Sequence, residues 1–174
     1  MKKVIKVKLD PHSIENAITE LQMYKEETER RVLMLIKKLA ERGVEIARAK
    51  VIEMGAVDSN ELLGSIDSCL VGSVGFIRVN AEYGMFVEFG TGIVGSKDSH
   101  PASDAFGWEY DINDHGENGW FYPYNNNRHH KFRFNPETGK FQPWTDGMKA
   151  RPFMYETALQ LRDEFPKIVA EVFG

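Results

Sequence analysis

The stretch Glu26–Met54, EETERRVLMLIKKLAERGVEIARAKVIEM, decides the architecture of this chain. Val32, Leu35, Ile36, Leu39, Gly43, Ile46, Ala47, Val51 and Met54 recur at three- and four-residue spacing, which draws one apolar stripe along a helix. At 1.5 Å per residue that helix would be roughly 43 Å long. Its outer face carries Glu26/Arg30 and Glu27/Arg31, acid-before-base pairs four residues apart that favour a helix. Gly43 falls on the stripe, where the missing side chain lets another segment approach closely. Gly55 is placed to end the helix. Upstream, Ile14, Ala17, Ile18 and Leu21 make a shorter stripe of the same period, which Pro11 or Ser13 can start.

The flanking segments read differently. Residues 2–9 alternate Val4/Lys6/Lys8 with Ile5/Val7/Leu9, a strand pattern with one wholly apolar face, ended by Asp10-Pro11. Ser65–Val71 and Gly75–Asn80 are short β-like runs joined by Gly72-Ser73, hence a hairpin. Residues 92–148 are rich in Gly, Asn, Asp, Ser, Pro and aromatics and lack long periodicity. A structureless loop of that length is foreign to a compact domain, so small β-elements are expected there. The best pair is Lys131–Phe134 with Lys140–Trp144. A last helix is predicted from about Pro152 to Phe173, with Met154, Ala158, Leu161, Phe165, Ile168, Val169 and Val172 on one face and a kink or break at Pro166. The predicted fold is α+β: a small, mostly antiparallel sheet packed against one long N-terminal-half helix and a C-terminal helix. Residues 1–174 form one domain with a long insertion at about 92–148.

Composition narrows the function classes. With 42% hydrophobic and 28% charged residues, the chain is expected to fold as a globular domain rather than stay disordered. Cys69 is the only cysteine, so no intrachain disulfide forms and a reducing compartment fits. No apolar run approaches a bilayer span, and the basic start lacks the continuous apolar core of a signal peptide. A net charge of −4 argues against a dedicated nucleic-acid binder.

Candidate chemistry is thin. His100, His115, His129 and His130 share a region with Asp98, Asp104, Asp111 and Asp114, but no pair has a recognised ligand frame. Side chains of this kind in a polar loop read as solvated or turn-forming, and neither a metal nor a cofactor is assigned. Cys69 lacks a positioned base and reads as a small buried hydrophobe. Gly90-Thr91-Gly92-Ile93-Val94-Gly95 has no Lys-Ser/Thr after it and leads into loop, so it is not a phosphate cradle. No catalytic residue is assigned, and the chain reads as a non-enzyme. A metal-dependent hydrolase built on the His/Asp loop 98–130 is the alternative, and a carbohydrate-binding module using Trp108, Tyr110, Trp120, Phe121, Tyr122 and Tyr124 is a third class. Residues 98–120 hold six acids and no Lys or Arg, whereas 128–151 are basic and interleaved with Phe132, Phe134, Phe141 and Trp144. The acidic loop of one copy meeting the basic ribbon of the next is one reading of that pattern, and an ordinary solvated surface is another. The ribbon also resembles a strand-based nucleic-acid surface, which ranks below the protein interface because the acidic neighbour would repel phosphates.

Three blocks in order carry a family likeness. Asp58-Ser59-Asn60-Glu61-Leu62-Leu63-Gly64-Ser65-Ile66 follows the long helix. Tyr83-Gly84-Met85-Phe86-Val87-Glu88-Phe89-Gly90-Thr91 is the second, and Arg151-Pro152-Phe153-Met154, entering the terminal helix, is the third. Together, over about 26–174, they resemble the gene-product-ten-like family of long-tailed bacteriophages and prophages, whose members are neck or tail-completion proteins. Ser59, Asn60 and the long insertion depart from the family's pattern. The resemblance implies a non-enzymatic virion assembly protein that joins head to tail. It would act in a homo-oligomeric ring with other phage neck and tail proteins, located in the virion after assembly in the bacterial cytoplasm. Neither a membrane nor a specific nucleic-acid sequence is implied. Tyr83, Phe86, Glu88, Phe89, Gly90, Thr91, Trp108, Trp120, Arg151, Pro152 and Phe153 are the interface or structural candidates. Glu88, set between Val87 and Phe89, should be partly desolvated and is expected to pair with Arg151. Proline at the first turn of the last helix is pre-organised for it.

Overall fold

The computed structural model of the chain describes residues 4–56, 60–110, 119–122 and 131–174. Helix α1 (Pro11–Glu53) is followed by α2 (Asn60–Ser65), β1 (Ile66–Val71) and β2 (Val74–Val79). Three short helices come next: α3 (Gly84–Phe89), α4 (Gly92–Lys97) and α5 (Ser103–Phe106). Strands β3 (Trp120–Phe121), β4 (Lys131–Asn135), β5 (Lys140–Thr145) and β6 (Gly147–Met148) precede α6 (Phe153–Phe173). The fold is α+β, and its strand pairing is antiparallel throughout the described sheets.

The two apolar stripes of the N-terminal half belong to one continuous helix, about 64 Å long at 1.5 Å per residue. Asp10 is its N-cap: the carboxylate accepts the N–H of Ser13 at 2.9 Å, and Pro11, which has no N–H to lose, opens the first turn. The helix ends at Met54 with Gly55 in the left-handed region at φ 61°, as the sequence predicts. Gly43 does admit a close neighbour, since a Cβ there would lie 2.1 Å from Cδ1 of Ile77. That contact seats the β1–β2 hairpin on α1. Register Ile66↔Val79 to Val71↔Val74 leaves Gly72 and Ser73 as a two-residue turn.

The core gathers Ala47 and Val51 of α1, Leu62 of α2, Ile66 of β1, Val87 of α3 and Phe153 of α6. Helix α6 runs back along α1 and is fastened outside the core by ion pairs. Arg42 grips the Glu164 carboxylate with two N–H groups at 2.7 and 2.9 Å, and Lys38 meets Glu171 at 3.3 Å. At its far end the Val172 carbonyl accepts from Arg31 at 3.4 Å. Beyond Arg31 α6 no longer covers α1, and Ile14, Ile18, Leu21, Met23 and Tyr24 are exposed.

Several expectations are corrected here. Residues 4–8 form no strand, and Val4, Val7 and Leu9 face solvent. Alternation names a face but not a partner; here the backbone N–H of Lys8 is taken by the Ser13 hydroxyl at 2.8 Å instead of a ladder. Pro166 does not break α6, which continues to Phe173. Ala158 and Phe165 are exposed, whereas Thr157, absent from the apolar pattern, is buried. Its hydroxyl donates to the Phe153 carbonyl at 2.6 Å, which makes the burial tolerable. Cys69 is half-buried rather than buried, because alternation along β1 sets it beside Asp67 on the face turned away from α1. The insertion contains the predicted hairpin, with β4 and β5 in register from Lys131↔Trp144 to Asn135↔Lys140, and, among its described residues, four short helical or strand pieces (α4, α5, β3 and β6) that periodicity did not announce. Asp58 and Ser59 of the first family-like block lie outside the described residues, as do His115, His129, His130, Asp111, Asp114 and Tyr124.

Candidate functional site

The second and third family-like blocks pack on each other. Gly90 closes α3 at φ 80°, and a Cβ there would lie 2.6 Å from the Ala150 nitrogen. That proximity requires glycine twice over, for its backbone angle and for the space. Thr91 and Gly92 bridge to Met148 and Gly147, and the Thr91 hydroxyl accepts the Met148 N–H at 3.3 Å. The Val87 carbonyl accepts the Arg151 N–H at 2.9 Å. The two chain segments thus lie side by side just before α6 begins.

Glu88 sits at this junction and is only 7% exposed. Its Oε2 accepts the Met154 N–H at 2.8 Å, and Oε1 accepts the Tyr155 N–H at 2.9 Å. These are the second and third residues of α6, whose N–H groups have no partner inside the helix. The N-cap residue is Pro152, which has no side chain able to accept them. Glu88 therefore caps α6 from another element, and its charge faces the positive end of the helix dipole.

A third donor completes the carboxylate's surroundings. Nε2 of His100 lies 3.1 Å from Glu88 Oε1, while Nδ1 accepts the Ala102 N–H at 3.0 Å. Because a backbone N–H points at Nδ1, the proton belongs on Nε2, where it is donated to Glu88. Both ring nitrogens are engaged and the ring is 2% exposed, so the imidazole has no free lone pair for general-base work or metal ligation. Among the described residues there is no group of three or more His, Cys, Asp or Glu able to hold a metal.

Aromatic rings wall the junction. Phe89 stacks on Trp108 at 4.8 Å and lies 4.3 Å from the His100 ring; Phe86 meets Trp108 edge-on at 6.0 Å. The Trp108 indole N–H donates to the Gly90 carbonyl at 3.1 Å. Beside them opens a cavity of about 470 Å³, lined by Met85, Phe89, Phe106, Trp108, Tyr155 and Ala158 together with Glu88 and His100. Its walls are apolar apart from Glu88, His100 and Trp108, whose hydrogen bonds are already made, and the Tyr155 hydroxyl.

The Glu88–Arg151 pair is not formed. Arg151 directs Nη1 to the Met148 sulfur at 3.8 Å, and its buried Nε has no hydrogen-bond partner among the described residues. The carboxylate is taken instead by two backbone N–H groups and an imidazole that lie closer in space. His100 is correspondingly not a solvated loop residue, as its surroundings in sequence suggest, but a buried one. No spacing signals it: it stands twelve residues from Glu88 in a polar stretch. Of the other candidates, Tyr83 packs on the core edge and Phe153, 1% exposed, fills it. Pro152 precedes the first helical residue instead of occupying it. Trp120 is not part of this junction; it lies over Gly92 and pairs through β3 with Thr145 of β5. Among the described residues of the acidic and basic segments, Asp98, Asp104 and Glu109 are exposed and form no ion pair with Lys131 or Lys140.

No protein-family model, curated protein or solved structure matches the chain.

Proposed function

We propose that this chain is a non-enzymatic virion assembly protein that completes the neck or tail and joins head to tail in a long-tailed phage or prophage. The observation that carries the reading is the convergence of the three family-like blocks. Leu62 and Ile66 of the first, Val87 of the second and Phe153 of the third fill one core against α1. The most reactive-looking pair, Glu88 and His100, is consumed in capping α6, which favours a structural role over hydrolysis. The uncovered stripe at Ile14, Ile18 and Leu21 favours a protein that works through contacts with other chains.

The assembly we infer is a homo-oligomeric ring that contacts other neck and tail proteins in the virion, put together in the bacterial cytoplasm. No helix among the described residues is long and apolar enough to cross a membrane. Deleting the gene from the phage or prophage that carries it tests the reading. DNA-filled heads and separate tails in electron micrographs, rejoined on complementation, are the expected result. Joined, infectious particles from the deletion strain would end it.

A further inference from the structure

The cavity beside Glu88 has the wrong walls for a polar ligand. Glu88 and His100 already hold hydrogen-bond partners and the Trp108 N–H is given to Gly90, so beyond the Tyr155 hydroxyl little remains to orient a sugar, nucleotide or metabolite. What it offers is aromatic and thioether surface, with Met85 and Phe106 exposed at the rim. The chain exposes aromatic rings elsewhere. On the β4–β5 hairpin, Phe134 and Phe141 are directly opposed across the strands, their rings edge-on at 5.7 Å. They are 56% and 71% exposed on one face of the ribbon, and no described residue of β4 or β5 lines the chain's own cavity.

We propose that the β4–β5 hairpin of one copy inserts Phe134 and Phe141 into the cavity beside Glu88 of the next copy. This deepens the assembly role inferred above and rests on it. Charge supports the choice of occupant. The exposed carboxylates Glu82, Asp104 and Glu109 lie within two residues of the cavity's lining, and among the described residues none has an ion pair. Lys131 and Lys140 stand at the starts of the two hairpin strands, on the ribbon face opposite Phe134 and Phe141, exposed and likewise unpaired among the described residues. A basic aromatic finger entering an acid-rimmed apolar socket gains register from the charges and contact from the rings. The donor and acceptor surfaces are different parts of the chain, and we infer a head-to-tail, heterologous contact in keeping with the ring proposed above. Each added copy leaves one finger and one socket free until a ring closes.

The experiment uses the full chain and two variants. Phe134→Ser/Phe141→Ser removes the finger at exposed positions, and Ala158→Phe fills the socket from the exposed side of α6. Circular dichroism and thermal melting check that both fold. Sedimentation velocity should show concentration-dependent association of the wild type and at least tenfold weaker self-association of each variant. Mixing the two variants should restore a single intact contact and give a 1:1 heterodimer that grows no further. A wild type that stays monomeric at the highest attainable concentration overturns the inference. So do variants that assemble like the wild type, or a mixture that forms no heterodimer. Loss of oligothymidylate binding by the finger variant, with self-association unchanged, would assign the hairpin to nucleic acid and equally overturn it. None of these results alters the deletion phenotype, so the insertion and the neck role fail separately.

Discussion

Oε1 of Glu88 lies 3.1 Å from Nε2 of His100, and the same carboxylate holds the first two free N–H groups of α6. One buried acid thereby ties α3, the segment after α4 and the last helix to each other. The arrangement is electrostatically closed: three donors converge on one anion at the positive end of a helix dipole. It explains how an isolated carboxylate survives among Phe89, Trp108 and Tyr155 without a cationic side chain beside it.

Glu88→Ala should therefore be among the most damaging single changes in the chain. It strands two backbone N–H groups and the imidazole N–H, each unpaired buried donor costing about 1–3 kcal/mol. We expect a loss of about 3 kcal/mol or more, and at this chain length a Tm fall of about 2–4 °C for each kcal/mol. Glu88→Gln should cost less, since its amide oxygen still accepts one or two of these bonds. With the amide oxygen at the Oε1 position Tyr155 and His100 keep their acceptor, but the amide NH2 then faces the Met154 N–H, a donor against a donor. Thermal unfolding followed by circular dichroism reads the order wild type, Gln, Ala. A wild-type Tm for Glu88→Ala would rule out the capping role.

The seat of the hairpin on α1 gives a second test. Gly43→Ala gains about 1 kcal/mol of helix propensity but puts a methyl 2.1 Å from Cδ1 of Ile77. Overpacking costs about 1–3 kcal/mol, so the net change should be destabilising. Ile77→Val deletes the offending Cδ1 and leaves Cγ1 at 3.0 Å, the tighter end of normal contact. In that background Gly43→Ala should be neutral or stabilising. A urea double-mutant cycle measures the coupling, and additive effects would show that the close approach carries no energy.

Why some of this was legible and some not follows from where the information lies. Helix α1, the β1–β2 turn at Gly72-Ser73, the β4–β5 pair and α6 announce themselves because their signals are local and repeat. Residues 4–8 show the limit of such signals, since alternation cannot supply an edge to pair with. The junction was half legible. Val87-Glu88-Phe89 does state a desolvated acid, but the eye then seeks a cation in the sequence and finds Arg151. The true partners are backbone N–H groups of Met154 and Tyr155, which have no letter of their own, and a histidine brought in by tertiary folding. Gly84, whose Cβ would meet Val79 at 2.7 Å, is likewise decided by a neighbour and not by its own segment.

Acid should loosen the α1–α6 face selectively. Hydrogen bonding to Arg42 holds the Glu164 carboxyl down from 4.5 to about 2. In the window between those values the unfolded chain binds more protons than the folded one, so stability rises with pH there. The contribution is fully present above about 4.5 and is lost as pH falls towards about 2. Arg42→Met removes the cause. The urea midpoints of wild type and Arg42→Met should differ near neutrality and draw together in acid. A gap that is constant over this range would mean that the ion pair adds nothing to stability, as many exposed pairs do.

Gly90 and Gly107 differ both in backbone region and in crowding: ψ is 172° at Gly90 and 37° at Gly107. Both have positive φ, 80° and 61°. A Cβ on Gly107 meets nothing within 4 Å, whereas on Gly90 it would meet the Ala150 nitrogen at 2.6 Å and the Met148 carbonyl oxygen at 2.8 Å. Gly107→Ala should thus cost only the left-handed conformation, about 1–2 kcal/mol. Gly90→Ala meets a backbone region essentially reserved for glycine and must also push apart two backbone segments that have no flexible end to yield. Separating them pulls Arg151 from the Val87 carbonyl and moves the start of α6 away from Glu88. The expected result is a loss of well over 3 kcal/mol, beyond the range of ordinary single substitutions. Limited proteolysis adds a readout that stability alone does not give. Gly90→Ala should expose the 147–153 segment to cleavage while Gly107→Ala leaves it protected. Equal melting temperatures and equal cleavage for the two variants would show that the close packing of the second and third blocks does not hold the fold together.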